Sequence, residues 1–257
     1  EENWVLNCVE NRKLEFKPVD VSHFSKQMLL SYGQKVIMMS ATILNKEGFC
    51  EILGIDKKDC DYMNIDSPFE KKNRPILFFP VGKMSKKNID NTLPYMAEAI
   101  DKILKNHSSE KGIIHCHTFK IAKFLKEKVK SRRILIHNSE NREQVLEKHK
   151  KSKSPTVLLS PSMTEGVDLA GECSRFQVIC KMPYPYLGDK IVNKRMKKWP
   201  WWYSMQTSKT IVQSVGRSIR NEEDYAITYI LDEDWDYFYS RNSKFRNNNL
   251  EGYKCQR

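Results

Sequence analysis

Short apolar segments rich in β-branched residues alternate along most of the chain with longer stretches in which apolar residues recur at helical spacing. The short segments predict buried strands, and the longer stretches predict amphipathic helices. The predicted strands are 35–40, 75–79, 112–116, 133–137, 156–160, 176–181 and 226–231. The predicted helices are 46–53, 92–106, 118–130, 140–150, 189–198 and 203–219. Alternation of this kind predicts an α/β fold with a mainly parallel sheet.

One stretch, 60–91, interrupts this alternation. It contains Pro68, Pro75, Pro80 and Gly82, which are typical of an irregular connection. It separates the first predicted strand and helix from the regular pattern that follows. We therefore predict a domain seam near residues 66–74.

The composition indicates a folded chain without a membrane span. Apolar residues make up 40% of the 257 residues and aromatic residues 11%, which excludes disorder as the main state. The longest apolar runs, such as 36–39, are far shorter than the roughly 20 residues that a spanning helix needs.

The cysteines and the start of the chain bear on its location and completeness. The 7 cysteines form no C-x-x-C pair and are odd in number, which favours reduced thiols in an intracellular protein over a zinc ribbon or a disulfide framework. The chain begins with Glu-Glu-Asn-Trp and has no signal segment. We expect it to be a piece of a longer protein.

The charge favours a polyanionic partner, with a solvated lysine-rich surface as the alternative. Lysine and arginine total 44 against 32 acidic residues, a net charge of +12. Many cations lie in the stretch 190–220, called here the basic segment, which contains no acidic residue. Aromatic residues in or near it could stack on nucleic-acid bases or belong to the core. They are Tyr184, Tyr186, Trp199, Trp201, Trp202 and Tyr203.

The most informative pattern is Q-x-x-G-R-x-x-R, formed by Gln213, Gly216, Arg217 and Arg220. On the predicted helix 203–219, Gln213, Arg217 and Arg220 fall within roughly 60° of one another and apolar residues occupy the opposite side. Gly216 would sit inside the helix, where it costs about 1 kcal/mol relative to alanine. This cost favours a close approach to the backbone there over a solvated polar face with an accidental glycine.

The same spacing is that of motif VI in superfamily 2 helicases, and the segment 201–232 resembles their XPD/DinG branch. The resemblance implies that Arg217 and Arg220 face a nucleotide bound by another RecA-like domain and neutralise γ-phosphate charge in the transition state. It also implies that Gln213 positions these arginines and that Gly216 lies on the nucleotide side. A planar, permanently charged guanidinium suits this role better than lysine does.

The segment VLLSPSMTEGVDLAGE, residues 157–172, resembles motif V of the same branch. Its hydroxyls follow a predicted strand and could hold a DNA phosphate, whereas an ordinary turn of small polar residues is the alternative. The resemblance assigns to DNA the residues Ser160, Ser162 and Thr164. It assigns to the nucleotide side the residues Glu165, Gly166 and Asp168.

Two further segments resemble motifs IV and III. In residues 111–125, His115 and Thr118 precede a lysine-rich helix and could contact a single strand. A metal site at His115 and His117 is rejected because further ligands are lacking nearby. Ser40 and Thr42 end a predicted strand as in motif III, where the resemblance implies coupling of nucleotide state to the grip on DNA.

One helicase element is missing and another is only mimicked. The phosphate-binding pattern G-x-x-x-x-G-K-[ST] does not occur in the chain. The strand ending YILDED follows motif VI instead of preceding motif III, so Asp232 or Asp234 is interpreted as a helix N-cap. The iron–sulfur cysteines of the family would lie upstream, so the sequence leaves such a cluster open.

The resemblance covers about residues 16–240 and implies an α/β fold, a RecA-like three-layer sandwich. Residues 1–66 would end the first RecA-like domain, and residues 67–257 would form the second. The parent protein would be an intracellular, monomeric DNA helicase that uses ATP with Mg²⁺ and moves 5′ to 3′ on single-stranded or forked DNA. The partner of this chain would be the first RecA-like domain of the same polypeptide, and no membrane is expected.

Two other functions stay open. A binding module could keep the helicase fold without an ATPase half. An unrelated α/β enzyme could instead use the arginine pair to bind a phosphorylated metabolite, and it would lack the steep salt dependence of nucleic-acid binding.

Overall fold

The computed structural model of the chain describes residues 3–9, 13–138, 140–161, 169–219, 221–245, 250 and 253–255. Its strands are β1 Trp4–Val9, β2 Lys13–Pro18, β3 Ile76–Gly82, β4 Gly112–His115, β5 Ile134–Ile136, β6 Val157–Ser160, β7 Phe176–Ile179, β8 Ile227–Asp232 and β9 Tyr253–Cys255. Its α-helices are α1 Ser22–Met28, α2 Lys46–Leu53, α3 Ile89–Asn106, α4 Phe119–Lys128, α5 Arg142–Lys151, α6 Lys190–Lys198, α7 Trp202–Val215 and α8 Asp234–Arg241. No helix in these ranges is both long and apolar enough to cross a membrane.

The chain folds into two compact units. The first contains residues 1–65 and 184–209, and the second contains residues 66–183 and 210–257. The second unit is built on a parallel sheet with the strand order β5-β6-β4-β7-β8-β3-β9. Every residue of the central strands β4, β6 and β7 is buried, as expected for a parallel sheet covered on both faces.

Alternate residues of these strands pack against helices on opposite faces of the sheet. Ile114 of β4 packs in one cluster with residues of α3 and α4, such as Met96 and Leu125. Its neighbour Ile113 packs on the other face with Leu146 of α5. Two helical layers around one parallel sheet confirm the predicted three-layer α/β sandwich.

The first unit contains an antiparallel hairpin of β1 and β2. Helix α6 joins this unit although it lies far along the chain, because its cations bind the hairpin and the turn after it. Arg195 Nε donates to the Val19 carbonyl at 3.0 Å, and Lys198 Nζ pairs with Asp20 at 2.6 Å. Residues 184–209 therefore group with residues 1–65, which differs from the boundary predicted from the sequence.

The predicted strand 35–40 is wrong. Residues 36–40 have no regular secondary structure, and Ile37 and Met39 are 86% and 90% exposed. A strand requires hydrogen bonds from a neighbouring strand, and the described part of the chain supplies none at this point. The apolar pattern alone could not reveal this.

A hydrogen-bonded network lies at the amino ends of the sheet strands. The Glu110 carboxylate contacts His107 Nδ1 at 2.5 Å and accepts from the Tyr225 hydroxyl at 2.7 Å. Burial alone raises the pKa of Glu110, but the hydrogen bonds from His107 and Tyr225 outweigh burial and lower the pKa below its ordinary value. The ionised carboxylate therefore stabilises the folded state.

Replacing Glu110 with glutamine should lower the free energy of unfolding by about 1 to 2 kcal/mol at pH 7. The stabilisation by Glu110 is fully present above its ordinary pKa and is lost as the pH falls through the lowered pKa of the folded state. The difference between wild type and variant should thus shrink at pH 3, as measured by urea unfolding at both values. An equal difference at pH 7 and pH 3 would contradict this account.

Candidate functional site

The carboxyl ends of β4, β6 and β7 lie level with one another. His115 of β4 pairs in register with Ser160 of β6 and with Ile179 of β7. Ligands of open parallel sheets bind beyond the carboxyl ends of the strands. Several residues singled out in the sequence lie at this edge, called here the carboxyl edge.

Helix α7 ends at Val215, one turn earlier than predicted. The Gly216 N–H still bonds to the Val212 carbonyl at 3.0 Å, and the Arg217 N–H turns back to the Ser214 carbonyl at 3.3 Å. This tightening is common in the last turn of a helix. The placement of Gly216 inside a helix is therefore wrong, as is the shared helical face of Gln213 and Arg217.

Gly216 is the first residue after α7, a place where glycine is common. A Cβ atom there would lie 3.2 Å from the Val212 carbonyl oxygen. In the last turn of α7, the side-chain oxygen of Gln213 is buried and has no hydrogen-bond partner among the described residues.

The turn that carries Arg217, residues 215–218, is held by three contacts. Gln177 Nε2 of β7 donates to the Val215 carbonyl at 2.8 Å. The Arg217 carbonyl accepts from the Leu169 N–H at 3.4 Å, and the Ser218 hydroxyl donates to Ser174 Oγ at 2.7 Å. The turn is thus fixed, while the Arg217 side chain is partly exposed.

His115 lies beside this turn and is only 4% exposed. Neither ring nitrogen has a hydrogen-bond partner in the described part of the chain. Burial lowers the pKa of His115 to about 4, and the positive charge of Arg217 and the nearby His117 add smaller lowering effects. The neighbouring Gln177 side chain raises the pKa but does not offset burial. His115 is therefore neutral at physiological pH, which argues against the predicted contact with a DNA phosphate.

Ser160 ends β6 and is 1% exposed, with its hydroxyl 3.0 Å from His137 Nε2. The other ring nitrogen of His137 lies 3.0 Å from the Asn138 carbonyl, which can only accept. In the neutral ring, Nε2 then accepts from the Ser160 hydroxyl. This placement puts Ser160 beneath the surface instead of on it.

The other predicted DNA contacts have different surroundings. The partly exposed Thr118 is the N-cap of α4, because its hydroxyl accepts from the Ile121 N–H at 3.3 Å. In the first unit, Ser40 is exposed and Thr42 is partly exposed, and their hydroxyls lie 3.2 Å apart. The remaining predicted site residues lie outside the described residues; they are Arg220, Ser162, Thr164, Glu165, Gly166 and Asp168.

Asp232 is a buried carboxylate at the end of β8 and is 1% exposed. It accepts from the backbone N–H groups of Met84 at 3.2 Å, Met182 at 2.8 Å and Asp234 at 3.2 Å. The N-cap residue of α8 is Glu233, so the interpretation of Asp232 or Asp234 as the N-cap is wrong, although Asp232 accepts from the N–H of Asp234, the first residue of α8. Burial raises the pKa of Asp232 against the lowering effect of these N–H groups.

Among the described residues, no three His, Cys, Asp or Glu side chains form a group that could hold a metal ion.

Part of the basic segment serves the fold of the first unit. Arg195 and Lys198 bind the N-terminal hairpin region, as described above, and Lys194 Nζ donates to the Trp4 carbonyl at 3.0 Å. Trp199 and Trp202 are buried, whereas Tyr186 is 79% exposed. The core interpretation therefore holds for these two tryptophans.

Sequence reasoning missed Gln177 and Ser174, which contact the turn that carries Arg217. A signal for Gln177 was present, because this residue is the one long polar side chain in the apolar run FQVI of β7. A buried amide must find hydrogen bonds within the protein, so a polar residue there indicates a specific contact. Its partner cannot be read from the sequence.

Comparison with known proteins gives consistent matches. The family model described as the helicase C-terminal domain matches residues 98–242. The ATP-dependent DNA helicase DinG of Photobacterium profundum is 26% identical over 239 residues, which cover 85% of this chain and 34% of DinG. A probable ATP-dependent helicase of Methanocaldococcus jannaschii is 27% identical over 264 residues, covering 91% of this chain and 40% of the relative. The chain thus spans well under half the length of these relatives.

The fold has a counterpart among solved structures. A structure of XPD without ligand superimposes with a TM-score of 0.72 at 16% identity, and the match covers 99% of this chain and 55% of XPD. Together with the relatives, this match confirms the resemblance to XPD/DinG-like superfamily 2 helicases that the motifs predict.

Proposed function

Since the chain belongs to the helicase C-terminal domain family, we propose that it is the C-terminal motor part of an ATP-dependent DNA helicase. The parent protein would couple ATP hydrolysis to translocation on single-stranded DNA and to unwinding. The observation that carries this proposal is the fixed turn 215–218, which presents Arg217. Contacts on both sides of Arg217 are what a charge-stabilising arginine requires, because it must be positioned before the reaction.

The proposed role of Arg217 and Arg220 is to neutralise negative charge on the γ-phosphate as it leaves ATP. The guanidinium of Arg217 suits this role because it is partly exposed and its backbone is fixed. Gln213, in the last turn of α7, would position the arginines. Glu165, Gly166, Asp168 and Gly216 would line the nucleotide side.

ATP and Mg²⁺ would be held mainly by the first RecA-like domain of the same polypeptide. The described residues of this chain do not fit a magnesium site, because the buried Asp232 carboxylate already accepts three backbone N–H groups. We expect this chain alone not to hydrolyse ATP, because it lacks the phosphate-binding pattern G-x-x-x-x-G-K-[ST]. An iron–sulfur cluster would have to be bound elsewhere in the parent protein.

The proposed DNA contacts come from Ser162 and Thr164, from Thr118 at the start of α4, and from the hydroxyls of Ser40 and Thr42. Ser160, the last residue of β6, precedes Ser162 and Thr164 in the chain and is held by its hydrogen bond to His137. The net charge of +12 supports a polyanionic partner. We propose that the parent is an intracellular monomer that binds single-stranded or forked DNA.

The test is unwinding of a DNA duplex with a single-stranded tail by the complete protein. We expect strand separation that requires ATP and a 5′ tail, the latter because the resemblance implies movement from 5′ to 3′. Binding of single strands without ATP-dependent strand separation would favour the alternative, a non-catalytic nucleic-acid-binding module. Absence of any binding at low salt would favour an enzyme acting on a phosphorylated metabolite.

A further inference from the structure

We propose that Gln177 is a positioning residue for Arg217: it fixes the end of α7 from the central strand β7 and so sets the direction of the guanidinium. This inference rests on the proposed role of Arg217 in ATP hydrolysis. Gln177 belongs to no motif that the resemblance assigns, and it touches no reacting group itself.

The location of Gln177 makes it a rigid anchor. It is 1% exposed and lies between Ile113 of β4 and Thr228 of β8, its partners in register on the two neighbouring strands. A side chain in the middle of a fully buried parallel sheet has little freedom to move. The group that it holds is fixed relative to the whole sheet.

The group that Gln177 holds is the carbonyl of Val215, the last residue of α7. Helix ends leave carbonyl groups without partners in the helix, and these groups need other donors when they are buried. Arg217 follows two residues later, so the direction in which the chain leaves α7 determines where its side chain begins. Losing the donor would leave a buried carbonyl unpaired and would release the end of the helix.

The neighbouring contacts explain why Gln177 affects direction and not merely stability. The Ser218–Ser174 and Arg217–Leu169 contacts hold the far side of the turn, and the Gln177 contact holds its near side. Without Gln177 the turn would stay attached at one side and could tilt. Since catalytic groups must be placed within a fraction of an ångström, such a tilt lowers kcat even in a folded protein.

The experiment uses the complete protein with Gln177→Met, which keeps the length of the side chain but removes the donor. We expect kcat for DNA-stimulated ATP hydrolysis to fall about tenfold, with KM for ATP and the Kd for a single-stranded oligonucleotide within about twofold of wild type. Thr228→Val is the matched control, because it removes a buried polar group from the adjacent strand. Its kcat should match wild type.

A second variant protects the test against poor folding of the first. In Gln177→Glu, an ionised carboxylate cannot donate to the Val215 carbonyl, whereas a protonated carboxyl can. The kcat of this variant relative to wild type should therefore rise as the pH is lowered, which a general loss of stability would not produce.

The outcomes separate this inference from the proposed function. If wild type lacks DNA-stimulated ATP hydrolysis, the proposed function fails and this inference fails with it; if only Arg217→Ala retains the wild-type rate, the proposed role of Arg217 fails and this inference fails with that role. If wild type hydrolyses ATP, Arg217→Ala does not and Gln177→Met has the kcat of wild type, the positioning role alone is overturned. An equal loss of kcat in Gln177→Met and Thr228→Val also overturns it, because the effect would then follow from removing any buried polar group.

Discussion

Replacing Arg217 with alanine in the complete protein is expected to lower kcat for ATP hydrolysis about 10³-fold. The reason is that the variant loses a positioned guanidinium, whose charge would act only on the transition state. Its affinity for a single-stranded oligonucleotide should stay within about twofold of wild type, because the proposed DNA contacts come from other residues. Steady-state ATP hydrolysis and oligonucleotide binding, measured on the same preparations, check both parts.

Two comparisons sharpen this prediction. Arg241→Ala is a matched control, because Arg241 lies at the end of α8 with its guanidinium over the Tyr237 ring and has no proposed role. It should leave kcat unchanged. Arg220→Ala should lower kcat as strongly as Arg217→Ala does, since the motif assigns both arginines to the phosphate. Wild-type turnover in Arg217→Ala would remove Arg217 from the proposed mechanism.

The largest expected effect on stability comes from replacing Gly112 with alanine. A Cβ atom at Gly112, the first residue of β4, would lie 2.5 Å from ring atoms of Phe176. This ring is fully buried and stacks on His107 at 4.4 Å between centroids, so it has little room to move. We expect a loss of about 3 kcal/mol in the free energy of unfolding, as measured by urea denaturation.

A double substitution tests the cause of this loss. Phe176→Leu alone should destabilise the fold by leaving a cavity in the core. In the Gly112→Ala/Phe176→Leu double variant the added methyl group would meet a smaller side chain. The loss in the free energy of unfolding of the double variant should therefore be smaller than the sum of the losses of the two single variants. Fully additive losses, or a loss below about 0.5 kcal/mol for Gly112→Ala, would contradict the proposed clash.

The sheet and its helices could be predicted because their residues carry the information locally. The run VLLS predicts β6 and KEGFCEIL predicts α2, since each combines the appropriate apolar spacing with a recognisable boundary. For α2 this boundary is the N-cap Asn45, whose side chain accepts from the Gly48 N–H. The motifs then indicated the family from residues alone.

Other features depend on contacts between distant residues and could not be predicted. The end of α7 is set by Gln177, 38 positions earlier in the chain. The grouping of α6 with the N-terminal hairpin depends on Arg195 reaching the Pro18 and Val19 carbonyls. Burial of His115 likewise follows from the packing around β4, whereas the sequence shows only a histidine at the end of a strand.

We propose that this chain is the C-terminal motor part of an ATP-dependent DNA helicase. The most direct test of this proposal is ATP hydrolysis by the complete protein, with and without single-stranded DNA, beside the same assay on this chain alone. The account predicts turnover by the complete protein that single-stranded DNA stimulates, and no turnover by the isolated chain. Absence of DNA-stimulated turnover in a folded complete protein that still binds single strands would contradict it.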